Sequence, residues 1–206
     1  MPINVFAFYS RFFFPRRRVV FVDTDEVPAK ESRLGDLVQN EIEASLVQQL
    51  VRAMVKGGVE ESQVGVISPY RQQIKILSQL LESHRGIEIL TADRSQGRDK
   101  DCIIISMVRS NDSDLIGDLL KDWRRLNVSF TRARSKLVIF GSRRTLDNTK
   151  VLQDFFELVE RNHWVYKLPK GAHISHDEKP QLARKKAVKR SAAEIDKEND
   201  VVVPLS

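Results

Sequence analysis

A chain of 206 residues with 34 Lys and Arg against 28 Asp and Glu has room for one domain with appendages, and its net charge of +6 favours polyanionic partners. The single cysteine, Cys102, excludes an internal disulfide framework or a cysteine-ligated cluster and fits a reducing compartment. No apolar stretch approaches the roughly 20 residues of a membrane-spanning helix, so no membrane partner is expected.

Residues 1–18 are aromatic, basic and free of acid. Their charges follow the apolar part, the reverse of a secretory signal, so the stretch is expected to be a leader outside any domain. Its arginines are also compatible with a mitochondrial presequence. Val19–Asp23 reads as a first strand, followed by Asp23-Thr24-Asp25-Glu26 as a surface turn. After Gly35-Asp36 a helical pattern places Leu37, Ile42, Leu46, Leu50 and Met54 on one side and stops at Gly57-Gly58. Val64–Ile67 is a second apolar strand, ended by Ser68-Pro69 where Tyr70 begins a helix through Ile74, Leu77, Leu80 and Leu81. Ile87–Leu90 and Cys102–Met107 are the third and fourth strands, with Cys102 as a small buried hydrophobe. The run from Asp122 to Phe130 is helix-compatible and sets Trp123, Leu126, Val128 and Phe130 among Arg124, Arg125, Arg132 and Arg134. Leu137–Phe140 is a fifth strand, and residues 149–162 form a helix built on Val151, Leu152, Phe155, Phe156 and Val159. From Lys170 the composition turns to Lys, Arg, Asp, Glu and Ala, so 169–206 are expected to be a disordered basic tail. Within it, residues 184–190 (RKKAVKR) have the character of a nuclear-import signal or of a non-specific nucleic-acid contact; the first gives a nuclear location, with the mitochondrion as the alternative.

Short apolar strands alternating with amphipathic helices specify an α/β fold with a mainly parallel sheet covered on both faces over residues 19–168. Ligands on such sheets bind beyond the carboxyl ends of the strands. That rule selects Ser68-Pro69-Tyr70, Thr91 to Asp99, and Val108-Arg109-Ser110-Asn111. His84, His163, His173 and His176 lie near or beyond helix ends and read as solvated. Without a nucleophile–base pair or a Gly-rich dinucleotide turn, a small-molecule enzyme is disfavoured.

Three stretches occur in order: residues 64–73 (VGVISPYRQQ), residues 89–101 (ILTADRSQGRDKD) leading to Val108-Arg109-Ser110-Asn111, and residues 124–134 (RRLNVSFTRAR). Together with Asn40-x-x-Glu43-Ala44, this set resembles the second, RecA-like motor domain of superfamily 1 helicases of the 5′-to-3′ class. It is most similar to the C-terminal end of the eukaryotic replication helicase/nucleases. The resemblance implies an ATP-dependent helicase in replication or repair, with single-stranded nucleic acid, DNA by preference, and a first motor domain as partners. By the same resemblance Arg132 reaches the γ-phosphate of ATP, held with Mg2+ mainly by that first domain. Gln96 and Gly97 would form the turn between nucleotide cleft and nucleic-acid groove, Asp99 would stand beside the ribose, and Arg125 would hold the arginine element in place. Ser68, Pro69, Tyr70, Thr91 and Arg109 would face the nucleic acid.

Three positions depart from the family pattern: Asp99 replaces a longer Glu, Ser95 an aromatic, and Ser129-Phe130 a smaller pair that the core is expected to absorb. The chain carries no Gly-x-x-x-x-Gly-Lys-Ser/Thr phosphate loop. It is therefore expected to be the C-terminal piece of a larger motor, inactive alone as an ATPase. The alternative is a freestanding, non-catalytic module that binds nucleic acid or a helicase.

Overall fold

The computed structural model describes residues 17–113 and 115–174. Strand β1 (Val19–Asp23) leads to the hairpin β2 (Ser32–Leu34) and β3 (Leu37–Gln39), and then to helix α1 (Glu41–Lys56). A 3-10 turn, Glu61–Gln63, precedes β4 (Val64–Ser68), α2 (Arg71–Leu80) and β5 (Glu88–Thr91). A second 3-10 turn, Asp93–Ser95, leads to β6 (Lys100–Ser106), α3 (Asp118–Lys121), α4 (Trp123–Phe130) and β7 (Ala133–Gly141). The order closes with α5 (Arg143–Leu146), α6 (Lys150–Arg161) and β8 (Val165–Lys167). The expected leader up to residue 16 and the basic tail from residue 175, His176 included, lie outside the described residues.

Six strands form one wholly parallel sheet in the order β5-β4-β6-β7-β1-β8. Alternate side chains along each strand divide the core in two, as the period of two along a strand requires. Cys102 and Ile104 of β6 pack with Leu46, Leu50 and Val51 of α1 and Leu77 of α2 on one face. Ile103 and Ile105 pack on the other with Leu126 of α4 and with Leu152, Phe156 and Val159 of α6. Phe21 meets Phe156 edge-on at 4.9 Å. The result is the expected three-layer α/β fold.

Where sequence and structure differ, backbone chemistry explains why. Leu37 is not in the helix but in β3, and its side chain is exposed. Gly35 at φ +58 opens a two-residue turn that pairs Leu34 with Leu37 and folds the segment back as a hairpin. The helix starts instead at Asn40, whose extended backbone and side-chain oxygen, accepting from Glu43 N–H, make the N-cap. β7 is longer than its apolar run, because Ala133 pairs with Lys100 at the start of β6 although the intervening side chains face solvent. The three-residue β8, too short to carry a pattern, completes the sheet beside β1.

Candidate functional site

Because all strands run the same way, their carboxyl ends share one edge, and a groove of about 620 Å³ opens there. Pro69, Tyr70 and Arg71 line one side of it, Thr91 and Asp93 another, and Arg125 of α4 reaches in beside Leu119. The hairpin forms a further wall through Leu37 and Val38. Of the residues the sequence assigned to nucleic acid, Pro69, Tyr70 and Thr91 meet at this groove, and Arg125, assigned to the nucleotide side, joins them.

Ser68 and Arg109 stand behind it. The Ser68 hydroxyl is fully buried and accepts from the Tyr70 N–H at 3.4 Å, fixing the turn out of β4. Arg109 is 3% exposed and donates from Nε to Glu31 Oε2 at 2.8 Å. Burial works to raise the Glu31 carboxyl, but hydrogen bonds from Asn111, Arg109 and the Ser110 N–H outweigh it and hold it below the ordinary range. Burial pushes the Tyr70 phenol up; it accepts a hydrogen bond from Arg109 and donates to the Ile116 carbonyl at 3.2 Å. A buried pair of this kind is costly to break, because removing one partner strands the other charge. Neither Glu31 nor Gly117 has a signal in the sequence. Gly117, at φ +72, is there because a Cβ would collide with Nη1 of Arg109.

Arg132 lies at the opposite edge, immediately before β7. Its Nε donates to Val128 O at 2.8 Å, Nη1 to Asp99 Oδ1 at 2.7 Å and Nη2 to Thr131 Oγ1 at 3.1 Å. With its side chain 19% exposed it is at the rim and not in the core. Asp99 precedes β6, so the strand-end rule, applied to Thr91–Asp99 as one loop, holds for its start and not its end. The chain crosses back between the edges through a turn in which Arg98 N–H donates to Ser95 O at 2.9 Å. Gln96 at φ −58, ψ 124 and Gly97 at φ +75 give it type II geometry, whose third position needs glycine. Ser95, where an aromatic was expected, is fully buried and donates its hydroxyl to Ala92 O at 2.7 Å. Arg125 ties α4 to this crossing by its ion pair with Asp93 at 3.2 Å. Ser129 and Phe130 are absorbed as expected: the hydroxyl donates to Arg125 O and the ring packs on Phe155 at 5.2 Å.

Of the expected surface turn Asp23-Thr24-Asp25-Glu26, Glu26 is exposed but Asp23 and Thr24 are interior. Asp23 is 5% exposed, its carboxyl raised by burial and then by Asp25, and the two aspartates accept from the Arg143 and Arg144 N–H groups that start α5. Cys102 is buried and its thiol is pushed up to about 12, leaving it inert. Among the described residues no group of three or more His, Cys, Asp or Glu could hold a metal ion, and no helix is long and apolar enough to cross a membrane.

A family model described as an AAA domain matches residues 6–144. The chain is 44% identical over 154 residues to the DNA replication ATP-dependent helicase/nuclease dna2 of Schizosaccharomyces pombe, covering 75% of this chain and 11% of that protein. It is 42% identical over 164 residues to the protein named DNA2 in Homo sapiens, covering 79% and 16%, and 38% identical over 159 residues to JHS1 of Arabidopsis thaliana, covering 76% and 12%. The chain thus spans only 11% to 16% of these relatives' length. With more than half of its residues matched by that model, the chain belongs to this AAA helicase-family domain.

Proposed function

We propose that the chain is the second motor domain of an ATP-dependent DNA helicase/nuclease, acting in nuclear DNA replication and repair. In this reading Arg132 acts as an arginine finger on ATP held by a first motor domain, and the carboxyl-end groove forms half of a single-strand track. The observation that carries it is the setting of Arg132, a guanidinium in the turn between α4 and β7, braced by three acceptors and partly exposed at the rim. ATP with Mg2+, bound by the partner domain, supplies the γ-phosphoryl group to be transferred. Arg132 contributes planar donors to its developing charge, and Asp99 orients the guanidinium from Nη1 while standing near enough to the same rim to meet a ribose hydroxyl. Gln96 and Gly97 join the two edges, so motion at the nucleotide side is conveyed to the groove through a turn of fixed geometry. Pro69, Tyr70 and Thr91 bound the strand, with Ser68 and Arg109 supporting Tyr70 from within.

The test is reconstitution. The 206-residue chain alone is expected to show no ATPase activity, and fusion to a first motor domain from one of the relatives is expected to restore single-strand-stimulated turnover. Arg132→Ala in the fusion should lower kcat by about 10³-fold or more, the range associated with arginine fingers. Full turnover by that variant would sink the assignment. Single-strand binding indifferent to the added domain, with no turnover, would favour a freestanding binding module.

A further inference from the structure

The Asn40-x-x-Glu43 pair and the second glutamine of Pro69-Tyr70-Arg71-Gln72-Gln73 have no part in the reading above, yet their side chains are among the most enclosed polar groups in the fold. Asn40, Glu43, Gln73 and Ser106 are all 0% exposed. They converge on the end of β6, where the Arg109 N–H donates to the Met107 carbonyl at 2.8 Å across Val108 at φ +72. An i to i+2 bond with positive φ at the centre is a γ-turn of the rare, strained kind, and a β-branched residue is among the least suited to it.

Both backbone polar groups of Val108 are held from one end of α1. Its N–H donates to Glu43 Oε1 at 2.9 Å, and its carbonyl accepts from Asn40 Nδ2 at 3.0 Å. Glu43 Oε1 also accepts from the Ser106 hydroxyl at 2.6 Å, and that hydroxyl accepts from Gln73 Nε2 at 2.9 Å. Gln73 closes the circuit by taking the Asn40 N–H at 2.8 Å and giving to the Asn40 carbonyl at 3.0 Å. Capping α1 needs only the Asn40 side-chain oxygen, and an aspartate would cap as well. What asparagine adds is a donor, directed to Val108 O and, at 2.7 Å, to Ala29 O.

Resting on the reading of the groove as a single-strand track, we propose that Asn40, Glu43, Gln73 and Ser106 are positioning residues that clamp the strained turn at Val108 and so set the walls of that groove. The turn sends Arg109 inward to Tyr70 and Glu31. Tyr70 then holds Ile116 through its phenol, so that Tyr70 and the segment leading to Leu119 both take up their places in the groove wall. The clamp is needed because the turn is unfavourable for valine; a glycine at 108 would adopt it unaided.

That last point makes the proposal testable in the 206-residue chain. Affinity for a fluorescent oligothymidine is measured below the melting midpoint of each variant. Asn40→Asp, which keeps the cap and loses the donor, is expected to weaken binding about tenfold, in line with the strain the turn stores. In a Val108→Gly background the same change is expected to have less than about a third of that effect, because the glycine turn no longer depends on the clamp. Equal losses in both backgrounds would overturn the proposal. Amide hydrogen exchange at Val108 is read in parallel: protection kept by Glu43→Gln, which preserves the acceptor, and lost by Glu43→Leu is the expected result, and equal protection in both would overturn it. Should the unaltered chain not bind oligothymidine at all, the track reading fails, and the exchange result decides the clamp by itself.

Discussion

Arg109 and Arg132 carry the same side chain and meet opposite surroundings. Arg109 is enclosed and pairs with a carboxylate that has three other donors, whereas Arg132 is braced at a rim with its outer edge toward solvent. Glu43 makes stability depend on pH. Burial raises its carboxyl from 4.5 to about 7, against hydrogen bonds that pull the other way. The folded chain therefore holds this proton more tightly than the unfolded chain. Its contribution is complete below pH 4.5 and is lost as pH rises through 7, a change on the order of 3 kcal/mol. Urea denaturation between pH 5 and 8 should show that fall, and Glu43→Gln, which cannot ionise, should flatten it. Two glycines give a second residue-scale contrast. An added Cβ at Gly97 meets nothing within 4 Å, so Gly97→Ala should cost only the left-handed backbone, about 1 kcal/mol in a denaturation experiment. At Gly117 the same change also displaces Arg109, and the loss should be larger.

At the scale of elements, α4 serves both edges: its Arg125 lines the groove, and Arg132 follows its last turn with Nε on the Val128 carbonyl. The 3-10 turn at Asp93–Ser95 and the type II turn after it take the place of a helix between β5 and β6, and this short return brings Asp93 to Arg125 and Asp99 to Arg132. α6 supports this arrangement through Phe156, which lies fully buried against Phe21 and under the guanidinium of Arg143 at 4.3 Å. Phe156→Ala should destabilise by about 3–5 kcal/mol, measured by chemical denaturation, and should leave the groove residues less protected from exchange.

For the molecule as a whole, the two edges of one parallel sheet serve two different ligands in the proposed reading. Charge then acts locally. Arg71 lines the groove on its exposed side, so Arg71→Ala should reduce the slope of log affinity for oligothymidine against log salt by about 0.7, the value for one phosphate contact on a single strand. An unchanged slope would place the strand elsewhere.

Much of this was legible beforehand. Apolar runs located five of the six sheet strands and the helices α2, α4 and α6, since burial on a sheet or helix face leaves a periodic record in the chain. The motif order identified the family, and the strand-end rule selected Pro69, Tyr70 and Thr91, which lie at the edge where the groove opens. What the sequence could not decide depends on contacts between residues far apart: Glu31 meeting Arg109 across 78 positions, Asn40 meeting Val108 across 68, and Asp99 meeting Arg132 across 33. Hydrogen bonds and ion pairs of this kind act over about 3 Å and leave no periodicity. Only the tertiary structure could therefore show that one arginine is enclosed as a support, that another stands braced at the opposite rim, and that a strained valine turn lies between α1 and the groove.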